Sequence, residues 1–146
     1  MCYVKECVKE IVRIGGRQGR ADFLRLDMNE NPEGLPGELV DKVKAELTPE
    51  FFATYPEPER FLKILAEYLG VKRENVCVTN GSDMAIRYLF EVFGRPGSSV
   101  VTVSPTFEMY RINCLIFGLQ HKPVMYNPDF SLDFSRVLDA ITEDVS

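Results

Sequence analysis

The sequence predicts an α/β fold built on a mostly parallel sheet, and three features carry that expectation. Runs at Val76 to Val78, Ser99 to Val103 and His121 to Tyr126 have the length and the β-branched, apolar character of buried strands. Stretches of helical periodicity separate them, so they form βαβ units with right-handed crossovers. The joints Asn80-Gly81-Ser82-Asp83 and Ser104-Pro105-Thr106-Phe107 are the turns from strand into helix. Ligands of such sheets gather beyond the carboxyl ends of the strands, where Gly81 to Asp83 and Phe107 are expected to converge.

Composition narrows the classes of function. The 146 residues are enough for a real core, and 45% hydrophobic with 27% charged residues describes an ordinary globular chain. A formal net charge of -5, with no basic run interleaved with aromatics, argues against nucleic acid or anionic membrane surfaces as partners. No apolar run approaches the roughly 18 residues of a membrane span. Cys2, Cys7, Cys77 and Cys114 lie far apart without C-x-x-C spacing, which points to free thiols and a cytoplasmic setting; Cys77 and Cys114 are expected in the core. The single His121 has no neighbouring ligand types, so no metal site is predicted.

Taken in order, the chain opens with Val4, Val8, Ile11 and Val12 at helical spacing, then breaks at Gly15, Gly16 and Arg17 into a basic elbow. Phe23 to Asp27 alternates as an edge strand would. The following loop, Met28 to Pro36, has its shape set by two prolines and two asparagines. A helix begins near Pro36 with Leu39, Val40, Val43 and Leu47 on one face and stops at Thr48-Pro49. Phe51 to Pro58 reads as an aromatic segment kept extended by its prolines. Phe61, Leu62, Ile64, Leu65, Tyr68 and Leu69 form the apolar face of the next helix, with Gly70 as its C-cap. The helix from Ser82 to Phe93 is apolar on several sides and is expected to be buried. Glu108 to Phe117 forms another helix with Gly118 as its stop, and Leu132, Val137, Leu138 and Ile141 mark the last.

The turn at Gly81 is the chemically suggestive element. Gly81 tolerates a tight reversal, Ser82 and Asp83 can cap the helix, and first-turn N–H groups make a ready anion site. Backbone geometry and capping alone explain most turns of this composition, so from spacing both readings stand. Neither G-x-G-x-x-G nor G-x-x-x-x-G-K-[ST] accompanies it, which argues against a dinucleotide fold or a P-loop.

Four stretches together carry a resemblance: Leu26-Asp27-Met28-Asn29-Glu30-Asn31-Pro32, Tyr55-Pro56-Glu57-Pro58, Thr79-Asn80-Gly81-Ser82-Asp83 and Ser104-Pro105-Thr106-Phe107-Glu108-Met109-Tyr110. In order and spacing they resemble class I/II, fold-type I aminotransferases dependent on pyridoxal 5′-phosphate (PLP), and among these the histidinol-phosphate aminotransferases. The resemblance implies an incomplete fold-type I, aspartate aminotransferase-like chain. Residues 1–20 would be an N-terminal extension, 21–50 an arm and small-domain segment, and 51–146 the first part of the large PLP-binding domain.

It also implies roles. Gly81, Ser82 and Asp83 would hold the PLP phosphate, Phe107 would stack on its ring, and Tyr55 would reach the phosphate of the other subunit's cofactor in a homodimer. Asn29, Glu30 and Asn31 would lie near the substrate entrance. Met84 departs from the acidic residue common in the family after the Ser-Asp pair. No residue here matches the lysine that forms a Schiff base with PLP, which in the family lies beyond the position of Ser146.

The implied activity is transamination of an amino acid or amino-alcohol phosphate, the histidinol-phosphate and 2-oxoglutarate pair in histidine biosynthesis being the single best match. Alternatives are a PLP-dependent decarboxylase of a phosphorylated amino acid, similar to threonine-phosphate decarboxylase, and a non-catalytic module binding a phosphorylated ligand. A flavodoxin-like domain is disfavoured because nothing resembles its loops.

Overall fold

The computed structural model describes residues 3–9, 11, 18–26 and 28–146. The expected elbow at Gly15 to Arg17, the helical position Val12, Cys2 and Asp27 lie outside these residues. The chain divides into two compact units. One joins the described residues before position 14 to Cys77–Ser146, and the other runs to Val76.

The first unit carries the sheet. Strand β1 (Ser99–Ser104) pairs in parallel with β2 (Gln120–Met125), in a register that sets Ser99 opposite Gln120 and Ser104 opposite Met125. Tyr126 N–H donates to Ser104 O at 2.9 Å, extending the pairing past the carboxyl ends. Pro123 lacks an N–H, which β2 tolerates on its unpaired side. Val145 forms an isolated parallel bridge to Ser99 on the other flank of β1.

Three helices accompany these strands: α5 (Gly81–Phe93), α6 (Met109–Phe117) and α7 (Phe134–Ala140). Helix α5 packs on α6, α6 also touches β2, and α7 lies against both strands. Ile86 and Phe90, one turn apart on α5, meet Cys114 and Leu119 in a buried cluster, against which Val100, Met109, Tyr110 and Phe117 also pack. Each large apolar side chain buried this way contributes about 1.5–3 kcal/mol. Gly118 ends α6 at φ 70°, and Leu119 N–H reaches back to Cys114 O at 2.8 Å, which draws Leu119 into the core. The short helix α1 (Glu6–Lys9) touches α6, and Lys5 Nζ donates to Ile116 O at 3.2 Å.

The second unit holds α2 (Gly37–Glu46), α3 (Pro49–Ala53) and α4 (Glu59–Leu69). Helix α4 closes as the sequence predicts, with Gly70 at φ 67° and Val71 N–H bonded to Ala66 O at 3.0 Å. Arg73, in a 3₁₀ turn after it, pairs with Glu59 at its start, at 2.9 Å. Leu62 and Ala66 are the buried apolar residues of this unit among those described.

Several expectations are corrected. Residues 76–79 pair with no strand among the described residues, and Cys77 and Val78 are exposed, because an extended segment without a hydrogen-bonded neighbour cannot be buried in a sheet. Phe23 to Leu26 likewise forms no strand. Phe51 to Ala53 is helical rather than extended, since Thr48 caps α3 through Phe51 N–H and Pro49 stands in the first turn, where its missing N–H costs nothing. Helix α5 buries Ile86 and Phe90 only, leaving Leu89, Val92 and Phe93 exposed.

Candidate functional site

The turn into α5 is built by its backbone. Gly81 sits at φ 74°, a left-handed conformation in which a side chain is strained, and open space surrounds the position a Cβ would take. Thr79 braces the turn from both ends: its carbonyl accepts Gly81 N–H at 2.9 Å and its hydroxyl donates to Gly81 O at 2.8 Å. Thr79 was not among the expected site residues, although its place one residue before Asn-Gly is a recognisable turn signal.

The expected cap is different. Asn80 occupies the N-cap and makes no side-chain capping bond, whereas Ser82 and Asp83 fall inside the first turn. The helix starts one residue earlier than expected, at Gly81, so Ser82 cannot be the cap. The consequence favours an anion. Ser82 and Asp83 are exposed, and first-turn N–H groups have no acceptor within their own helix, so these donors and the positive end of the helix face open space. Such an arrangement is able to accept a phosphate or carboxylate.

Phe107 follows the carboxyl end of β1 by three residues and directly precedes the residue that opens into α6. Its ring is half exposed, at 47%, while Met109 and Tyr110 just after it are drawn into the core cluster. An aromatic face fixed at its base and open at its surface suits stacking against a planar ring. Gly81 to Asp83 and Phe107 therefore belong to one unit, at the starts of two helices that pack on each other.

The remaining expected residues belong to the other unit. Tyr55 is 97% exposed and lines a cleft of about 590 Å³ with Phe51, Thr54, Pro56 and Glu57. Asn29 adopts a positive φ of 53°. Asn31 accepts Glu33 N–H and donates to Gly34 O at 2.7 Å, which shapes the loop by an Asx turn. Glu30 is held by Arg20 at 3.0 Å and Arg25 at 3.1 Å. That charge pairing was not foreseen; the acidic residue inside a loop following two arginines was its signal.

His121 is a structural histidine. Its Nε2 lies 2.7 Å from Thr102 Oγ1 on the neighbouring strand, and desolvation, with Arg111 nearby, holds its pKa below the ordinary imidazole value. No metal-binding cluster occurs among the described residues. Lys5, Lys9, Lys42, Lys44, Lys72 and Lys122 have partners in carbonyls or carboxylates, and Lys63 lies on the exposed side of α4. None of these lysines stands in the turns at Gly81 or Phe107.

The family of class I and II aminotransferases matches residues 21–146. The histidinol-phosphate aminotransferase of Pyrococcus furiosus is 37% identical over 116 residues, covering 78% of this chain and 34% of that protein. The chloroplastic histidinol-phosphate aminotransferase of Nicotiana tabacum is 36% identical over 122 residues, 82% of this chain and 29% of its own length. The crystal structure of histidinol-phosphate aminotransferase from Sinorhizobium meliloti, in complex with PLP, matches 99% of this chain and 40% of that one, with a TM-score of 0.78. At 18% identity the last is a likeness of fold. The chain spans about a third of the length of the curated relatives it matches. Aminotransferases of this family depend on PLP. With its α/β architecture, its parallel strands and this match over most of its length, the chain belongs to the class I and II aminotransferases.

Proposed function

We propose that this chain supplies the phosphate cradle and the ring-stacking residue of a PLP-dependent aminotransferase that moves the amino group of histidinol phosphate to 2-oxoglutarate. The observation that carries the reading is the open turn at Gly81, found in a chain 37% identical to histidinol-phosphate aminotransferases. Residues 21–50 would form the arm and 51–146 the first part of the large domain, with 1–20 as an extension.

Bound PLP supplies an electron sink that stabilises charge developing at the α-carbon of the amino substrate. The chain's own residues would bind and orient it. Ser82 and Asp83 donate their backbone N–H groups to the phosphate, and the end of α5 adds its dipole. Gly81 keeps the approach clear. Phe107 covers one face of the ring and excludes water there, without the hydroxyl that a tyrosine would add. Tyr55, exposed on its own unit, is suited to donate its hydroxyl to the phosphate held by the partner subunit of a homodimer. Asn29, Glu30 and Asn31 frame the substrate entrance on a loop stiffened by the Glu30 ion pairs. The reading assigns the reacting lysine to the part of the relatives' length that this chain does not span.

The test uses the full-length protein that carries this chain. Amino transfer from histidinol phosphate to 2-oxoglutarate is expected. Phe107→Leu should weaken PLP affinity about three- to tenfold through lost stacking. Gly81→Ala should weaken it as well, because the left-handed backbone costs an alanine roughly 1 kcal/mol. Absence of amino transfer, or release of CO₂ from a phosphorylated amino acid instead, sinks the reading.

A further inference from the structure

A polar network ties three segments of the first unit at the amino end of β1, whereas Phe107 follows its carboxyl end. Lys122 Nζ, reaching from β2, lies 2.9 Å from each carboxylate oxygen of Asp144 and 3.1 Å from Thr142 Oγ1. Ser99 and Thr142 hydroxyls donate to the same carboxylate. The backbone adds two bonds on the same spot: Ser99 N–H to Asp144 O at 2.8 Å and Ser146 N–H to Ser99 O at 3.0 Å. Ser98 Oγ bonds Ser146 Oγ at 2.7 Å, and Arg95 lines the adjoining cleft with Asp144. Ser99 is fully buried.

The side-chain geometry depends on register. Lys122 stands opposite Val101, and Val101 and Ser99, two residues apart, point to the same face of the sheet. Lys122 and Ser99 therefore meet over β1 on one face, where Asp144 accepts from both. A one-residue slip of the Asp144 segment would turn its side chains over and leave the carboxylate without the Lys122 and Ser99 donors.

We propose that Lys122, Ser99 and Asp144 form a register lock that holds the segment entering at Val145 in the third parallel position of the sheet, beside β1. The lock is independent of the cofactor reading, because the hydrogen bonds and ion pair that build it involve neither Gly81 to Asp83 nor Phe107.

Amide hydrogen exchange on the full-length protein tests it. Asp144→Ala should raise exchange at the Ser99 and Ser146 amides about tenfold or more relative to Tyr126, whose N–H bonds Ser104 at the other end of the strands. PLP affinity should stay unchanged. Unchanged exchange at Ser99 and Ser146 overturns the proposal. If Asp144→Ala instead loosens the whole unit, Tyr126 included, the pair Lys122→Met and Lys122→Arg decides. Selective deprotection with methionine and its rescue by arginine support the lock, and equal protection in the two overturns it.

Discussion

Cys77, between Val76 and Val78, and Cys114, ahead of Leu115 and Ile116, both have apolar neighbours in sequence and meet opposite fates. Cys114 lies on α6 against Ile86, Phe90 and Leu119 at 1% exposure, and burial pushes its thiol up to about 11 from the ordinary 9.0. A raised thiol pKa favours the protonated form in the fold, so this contribution to stability is present below pH 9 and is lost as pH rises through 11. Cys77 is exposed, in a segment that pairs with no strand among the described residues. Iodoacetamide at pH 8 is therefore expected to modify Cys77 in the folded chain and Cys114 only after denaturant is added, with peptide mass spectrometry as the readout. Modification of Cys114 at the rate of Cys77 under native conditions would contradict the buried cluster. The sequence revealed that both sites were apolar. It did not reveal which had a covering layer, because that depends on groups distant along the chain.

The ends of two helices were legible from their glycines. Gly70 and Gly118 end α4 and α6 in the left-handed conformation, as glycines after apolar periodic stretches should. Two element-level expectations fell to local chemistry that was present but misread. Thr48-Pro49 begins the short helix α3, with the Thr48 hydroxyl accepting Phe51 N–H, where the prolines farther on suggested extension. Asn80 rather than Ser82 precedes the first helical residue of α5. A third glycine has a role that sequence could not reveal. At Gly94, just after α5, a Cβ would come within 2.5 Å of Phe90 O and 2.8 Å of Leu119 Cδ1, so the chain passes close against the core. Gly94→Ala should cost about 1–3 kcal/mol by overpacking, read as a lowered midpoint in urea unfolding at constant slope. An unchanged midpoint would mean that Leu119 and the end of α5 yield without strain.

For the whole molecule, the balance of buried and exposed apolar surface sets the behaviour. Leu89, Val92 and Phe93 on α5 are 56%, 71% and 65% exposed, and with Phe90, Val100 and Leu119 the first and last line an apolar hollow of about 430 Å³. In the other unit Phe52, Phe61 and Ile64 are also exposed. A chain that leaves this much apolar surface in water is expected to self-associate when expressed as these 146 residues alone. Light scattering after gel filtration should report species larger than a monomer, and the same preparation should show no amino transfer. A monodisperse monomer, or measurable turnover, would run against that expectation.

The local signals of the sequence were sufficient for the α/β class, the two parallel strands after residue 98, the helices around them, and the turn at Gly81. Each rests on periodicity, strand length or a glycine's freedom over a few neighbouring residues. The family also emerged from short stretches, because Asn-Gly-Ser-Asp and Ser-Pro-Thr-Phe place backbone donors and a ring in a fixed local order. Tertiary structure alone decided that residues 76–79 pair with no strand among the described residues, that α5 is half open, and that Lys122 reaches over β1 to Asp144. Burial, and a pairing such as that of Lys122 with Asp144, depend on residues brought together from distant parts of the chain, which no short window of sequence contains.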